Sequence, residues 1–307
     1  MLGLSAAEVR SSPWQFRRWF DERLRASVGK LGMALRRSPS AALLTAPAPL
    51  ADPMTLRQWI YGAGCVMPGD ALYLEELMRP VGLQPAMTVL DLNAGMGGAG
   101  MAMTQAWKSD VVGFERNRDL VQAGAAVLRA QKADKRVKLA PYDPENLLLR
   151  DGFYDCAMAR EVISTLVDKE AFLHAVSLAL KSFGWIVITD FVRGDAPADD
   201  AAFAGWAAMQ EQKPLLWTGE DYVACLERLA CDVRIASDAT AQYRSLLLRS
   251  WRRFLDHPEL PRLKGRRALP LLDEVERCIR TLAAFESGAL RYFHICAQST
   301  HVPAASD

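Results

Sequence analysis

The sequence predicts an α/β fold, a doubly wound and mostly parallel sheet with helices on both faces. Three observations carry this. From Met87 onward, short apolar runs alternate with amphipathic helical stretches; the first run ends in an acid and enters a glycine-rich turn; and the second run, about twenty positions on, also ends in an acid.

The runs, taken in order, are 88–92, 110–114, 137–140, 154–158 and 185–190. Helical stretches at 98–107, 117–132 and 168–181 separate most of them. After Asp190 the pattern changes. An Ala-rich helical stretch covers 198–213, a second helix 219–230 leads into a strand at 232–236, and helices over 240–256 and 270–286 precede a closing strand at 290–297. The span 194–230 is read as a helical lid inserted in a domain covering 54–300, with 301–307 as a tail.

The N-terminal region has a different character. Ser12, Pro13 and Gln15 supply an N-cap, a first-turn proline and a capping-box glutamine. Phe16, Phe20, Leu24, Val28, Leu31 and Leu35 then recur at helical spacing among seven Lys and Arg residues. This basic amphipathic helix over 12–37 packs on the chain's own domain or offers a contact for a protein partner or a membrane surface. The Pro- and Ala-rich stretch 38–53 reads as a linker.

Composition narrows the function. A chain of 307 residues, 50% of them hydrophobic, can bury a large core, and a net charge of +1 gives no general attraction to nucleic acid. The six cysteines are scattered, with no zinc spacing, so reduced thiols and no metal are expected. No leader pattern or membrane-length apolar run is present, which points to the cytoplasm, with peripheral membrane contact confined to the N-terminal helix.

Residues 89–100, VLDLNAGMGGAG, carry the strongest local signal. Gly95 and Gly97 remove side chains where a nucleotide-like ligand approaches, Asn93 tolerates a left-handed conformation, and the following helix N-terminus favours negative charge. Glu115, twenty positions after Gly95, can accept hydrogen bonds from both hydroxyls of a ribose, and Asp143 can accept one from an adenine amino group. A solvated strand-end acid is the ordinary alternative for each; the ordered set of three favours the ligand reading. Gly95, Gly97 and Gly100 also spell GxGxxG, the dinucleotide fingerprint. Asp91 standing before the glycines and the absence of a second substrate domain argue against an NAD-dependent oxidoreductase.

Residues 91–98, Phe114-Glu115, Asp143 and Asp190-Phe191 resemble the ordered motifs of class I S-adenosylmethionine-dependent methyltransferases. The resemblance covers about 55–298. It implies a Rossmann-like sheet, mostly parallel with an antiparallel last strand, S-adenosylmethionine as cofactor, and methyl transfer to nitrogen or oxygen of a small metabolite. Residues 60–69, IYGAGCVMPG, further resemble the entry loop of the small-molecule subgroup acting on phosphoethanolamine and sarcosine. By that likeness Tyr61 closes over the donor and is the candidate catalytic residue, and Met67 sits near the methionine moiety. The implied cofactor contacts are Tyr61, Met67, Asp91, Asn93, Ala94, Gly95, Gly97, Glu115, Arg116, Asp143, Pro144 and Arg160.

Two positions depart from the pattern: Asn93 stands where the family has a glycine, and Thr165 where amine-methylating members carry a histidine. They sustain an alternative, a methyltransferase-fold binding or regulatory subunit acting through its N-terminal helix. Further polar candidates at the strand ends are Glu161, Asp190, Asp221, Asp238 and Tyr243; Trp206, Trp217 and Trp251 are candidates for an apolar pocket. His174 and His294 are given no catalytic role. Because the linker separates residues 1–50 from the sheet, their deletion is expected to leave a folded domain that still binds S-adenosylhomocysteine, as read by calorimetry; lost binding would place the helix in the core.

Overall fold

The computed structural model describes Arg18 and residues 52–197, 200–258 and 268–300. The helix expected over 12–37, nearly all of the linker and the tail after 300 lie outside the described residues. Asp52 and Pro53, assigned to the linker, instead open a helix. The Asp52 carboxylate accepts the Thr55 N–H, and Pro53 takes the first helical position, where its missing N–H costs nothing.

This helix, α1 (Pro53–Tyr61), is followed by α2 (Ala71–Met78) and then by the alternating core: β1 (Thr88–Leu92), α3 (Gly98–Trp107), β2 (Asp110–Glu115), α4 (Arg118–Ala130), β3 (Val137–Pro141), β4 (Tyr154–Arg160), α5 (Lys169–Ala179) and β5 (Leu180–Arg193). The second half contributes α6 (Ala201–Ala207), α7 (Gly219–Arg228), β6 (Cys231–Asp238), α8 (Thr240–Phe254), α9 (Leu269–Glu286) and β7 (Leu290–Ser299). The sheet order is β3-β2-β1-β4-β5-β7-β6. β7 runs antiparallel to both β5 and β6, and the remaining pairs are parallel, which is the expected Rossmann-like arrangement. The chain winds outward from β1 through β2 and β3, then returns to place β4 on the other side of β1. The crevice at that switch point is where such sheets bind ligands.

Strand periodicity sorts the core into two faces. Val89, Cys156, Met158, Val187 and Cys296 face α2, α3 and α4 with Met78, Met103 and Leu128. Their neighbours Leu90, Ala157, Ile186, Ile188 and Ile295 face α5 and α7 with Phe172, Val176, Tyr222 and Leu226. A third cluster caps the sheet. Leu56 and Ile60 of α1, Trp206 of α6, Leu247, Trp251 and Phe254 of α8, and Leu271, Leu282 and Phe285 of α9 gather around Phe191, whose ring lies 5.2 Å from both Trp206 and Tyr292.

This grouping revises the lid read from sequence. Of the span 194–230, α6 joins the cap, whereas the apolar stripe Tyr222, Cys225 and Leu226 puts α7 in the sheet's own core. The Ala-rich stretch is helical only over Ala201–Ala207. No helix among the described residues is long and apolar enough to cross a membrane.

The cap is joined to β5 by a tight backbone approach. A Cβ on Gly194 would stand 2.1 Å from the Gly288 carbonyl oxygen. Gly194→Ala is therefore expected to lower stability by about 1–3 kcal/mol, the usual cost of overpacking, as a reduced denaturant midpoint with an unchanged slope.

Candidate active site

The glycine-rich turn is shaped by backbone that only certain residues adopt. Asn93 has φ 73°, Gly95 φ 58° and Gly97 φ 89°. Asn93 accepts the left-handed conformation because its side-chain amide donates to the Arg160 carbonyl at 2.8 Å. The family's glycine is thus replaced by a residue that ties β1 to β4. Gly97 is the N-cap of α3, and a Cβ there would meet Leu128 of α4 at 3.1 Å.

Glu115, at the end of β2, is buried beside this turn. One carboxylate oxygen accepts the Gly95 N–H at 2.9 Å and the other the Asn117 N–H at 2.8 Å. Burial pushes its pKa up and these hydrogen bonds pull it down. Two of a carboxylate's roughly four acceptor positions remain for a ligand. Asp91 is buried too, and one of its oxygens has no hydrogen-bond partner among the described residues. Burial is the main cause that raises this carboxyl to about 7; the Arg160 charge opposes the rise, and Glu115 adds to it.

The entry loop closes over the turn. The Gly64 carbonyl accepts the Gly98 N–H at 3.1 Å, and a Cβ on Gly95 would come within 3.0 Å of Val66. Arg160 fastens the far end: its guanidinium donates to the Pro68 carbonyl, lies against Gly69 and stands 5.8 Å from the centre of the Tyr73 ring. A cleft of about 20 Å³ separates the loop from Asp91, Asn93, Ala94, Gly95 and Arg160.

Beyond the cleft opens a cavity of about 620 Å³. It runs from Glu115, Arg116, Asn117 and Asp119 past Met67, Asn93, Glu161 and Thr165 to Tyr61, Tyr243 and the cap. At the cap end Glu274, 6% exposed, accepts a hydrogen bond from the Tyr61 hydroxyl at 2.8 Å and one from Arg57 at 3.3 Å; Arg277 lies 3.6 Å away. The Tyr61 hydroxyl therefore faces α9, away from the glycine turn. Glu161 also lines the cavity, with φ 53°. The Tyr292 hydroxyl donates to its carboxylate at 3.1 Å. Burial raises the Glu161 carboxyl to about 7, against the lowering by Arg160 and with a further rise from Asp190.

The structure thus gathers Tyr61, Met67, Asn93, Glu115 and Arg116 around the cavity, and Asp91, Ala94, Gly95 and Arg160 around the adjoining cleft. It does not bring Asp143 there: that side chain is exposed and accepts from the Glu145 N–H and the Asn146 amide, which hold its carboxyl below the usual range. Pro144 is buried in the turn that follows, away from the cavity lining. Asp190 accepts from the Ser164 and Phe191 N–H groups at 2.8 Å each. Asp221 forms a capping box with Thr218, and Asp238 accepts from the Thr240 N–H. Trp206 and Trp251 are core residues of the cap, Trp217 packs on the second face, and His174 is exposed. Burial lowers the His294 pKa.

Sequence reasoning missed Arg57, Glu274, Arg277, Cys278 and Thr281. The last four do carry a signal: positions 274, 277, 278 and 281 recur at helical spacing and share one face of α9. Among the described residues no group of three or more His, Cys, Asp or Glu side chains could hold a metal ion.

Residues 83–244, more than half of the chain, match the family model for a methyltransferase domain. The chain belongs to this family. This methyltransferase is 24% identical over 196 residues to Phosphoethanolamine N-methyltransferase 1 of Zea mays, covering 64% of the present chain and 38% of that relative. It is 24% identical over 144 residues to Phosphoethanolamine N-methyltransferase 2 of Caenorhabditis elegans, covering 47% and 33%. The chain thus spans about two-fifths or less of these relatives' length. The solved structure of Haemonchus contortus phosphoethanolamine N-methyltransferase 2 with S-adenosyl-L-methionine superposes with a TM-score of 0.71 at 17% identity, over 81% of this methyltransferase and 57% of that chain, which shows a shared fold. For this methyltransferase, Glu115→Ala is expected to weaken S-adenosylhomocysteine binding by about 2 kcal/mol, roughly thirtyfold, through loss of charged hydrogen bonds; unchanged calorimetric affinity in a folded variant would refute the assignment.

Proposed function

We propose that this methyltransferase moves the methyl group of S-adenosylmethionine to the nitrogen of a small molecule, with Glu161 taking the proton released. The observation that carries the reading is the single cavity joining Glu115 at the β2 end to Glu161 and the tyrosines beneath the cap.

The residues fit the cofactor. Glu115 has acceptor capacity left for a ribose, the positive-φ glycines leave the backbone open to close approach, and the unpartnered oxygen of Asp91 lacks a donor that an ammonium group would supply. S-adenosylmethionine, when bound, supplies an electrophilic methyl on a sulfonium. The cleft between residues 64–67 and the glycine turn would hold the methionine end, through Asp91 and the backbone at Ala94 and Gly95.

Methyl transfer asks the protein chiefly for alignment and exclusion of water. Tyr61, Met67 and the cap close the cavity on one side and the sheet on the other. Glu161 accepts the proton that an ammonium must lose before its lone pair forms the new N–C bond while the C–S bond breaks; the proton then passes to solvent. Thr165, in the family's histidine position, hydrogen-bonds to the Val162 carbonyl at 3.0 Å and offers no base. The catalytic requirement falls on Glu161, and Tyr61 becomes a positioning residue through Glu274.

A carboxyl raised to about 7 accepts a proton only above that pH, so kcat/KM should fall as pH drops below about 7. Glu161→Gln should lower kcat by about 10²-fold or more and abolish that acidic limb. A limb that persists in the variant would reassign it to another group.

A further inference from the structure

The charges lining the cavity bear on which amine it takes. Among the described lining residues stand five carboxylates, Glu115, Asp119, Glu161, Glu211 and Glu274, against three guanidiniums, Arg57, Arg116 and Arg277, with no lysine or histidine. At the cap end both arginines are engaged by carboxylates. Arg57 reaches Glu274 at 3.3 Å and Glu211 at 3.7 Å, and Arg277 lies 3.6 Å from Glu274. Arg116 donates to Thr165 at 3.3 Å and lowers the pKa of Glu115 at the cofactor end.

An acceptor bearing a phosphate or carboxylate would bring one or two negative charges into this space. Turning Arg57 toward it would break the guanidinium hydrogen bond to Glu274, a carboxylate only 6% exposed, in a low-dielectric site. A cationic or neutral amine meets no such conflict. It finds the Glu161 carboxylate in the cavity lining, and the electron-rich faces of tyrosine rings favour a positive charge.

We propose that the acceptor is a small amine with no anionic group, held at Glu161 and among the rings of Tyr61 and Tyr243. This rests on the N-methyltransferase reading above and separates the chain from phosphoethanolamine, the substrate its relatives are named for. The Glu274 cluster acts as the filter: its carboxylate is hydrogen-bonded to Arg57 and stands 3.6 Å from Arg277, so it offsets the guanidinium charge at the cap end before an acceptor arrives.

The test is calorimetric titration of the full-length protein loaded with S-adenosylhomocysteine. The probes are ethanolamine, N-methylethanolamine and phosphoethanolamine, which differ in the phosphate and the methyl count. Ethanolamine or its methylated form is expected to bind at least tenfold more tightly than phosphoethanolamine, and Glu274→Gln, which removes the carboxylate facing both arginines, to shift the preference toward phosphoethanolamine by at least tenfold. Tighter binding of phosphoethanolamine to the wild type overturns the proposal, as does failure of both phosphate-free amines to bind the loaded protein. Either result leaves the cofactor assignment intact. Failure of S-adenosylhomocysteine itself to bind would instead overturn the reading on which the proposal rests. If Glu274→Gln does not fold, the wild-type ranking alone decides.

Discussion

The buried guanidinium of Arg160 is the constraint around which the site is arranged. It sits at the end of β4, 5% exposed, and donates to the Pro68 carbonyl, which draws the entry loop onto the glycine turn. Its charge also opposes the rise in pKa of both Asp91 and Glu161, the two buried carboxyls that flank it. Without a cation there, two carboxylates at adjacent strand ends would lack any nearby positive charge in a low-dielectric interior. The Arg160 backbone takes part as well, because its carbonyl accepts the Asn93 amide that stabilises the left-handed turn after β1. Loop, turn and both acids are therefore coupled through one residue.

The cap solves a different problem. A sheet's carboxyl ends expose backbone and polar side chains, and chemistry between them needs water kept out. Here α1, α6, α8 and α9 bury an aromatic cluster around Phe191, at the end of β5, and the α9 face that carries Glu274 turns inward where the cluster stops. Glu274 is stabilised by Tyr61 from α1 and by arginines from α1 and α9. The same ion-pair cluster fastens α1 to α9 and lines the cavity.

Much of this was legible in the sequence because it depends on local rules. Strand–helix alternation, the left-handed turn at Asn93 and Gly95, and the acid at the end of β2 follow from periodicity, backbone sterics and spacing, and each appears where expected. Which layer α6 and α7 each cover is a matter of partners, α9 for the one and β6 and β7 for the other, and of these α9 and β7 lie far away in sequence. Asp143 was read as a ligand-facing acid because it follows a strand, yet its own short turn supplies donors that hold it outward.

By itself the sequence determined the fold class, the left-handed glycine-rich turn and the acid at the end of β2, since neighbours within about twenty residues dictate them. Only the tertiary structure decided what Glu161, Tyr61 and Glu274 touch. Glu161 is an ordinary acid until Tyr292, 131 positions away, donates to it and burial raises its pKa. Tyr61 and Glu274 are 213 positions apart and meet only in the folded chain. The physical reason is that desolvation and charge pairing depend on which distant side chains share a cavity, and no local pattern encodes that.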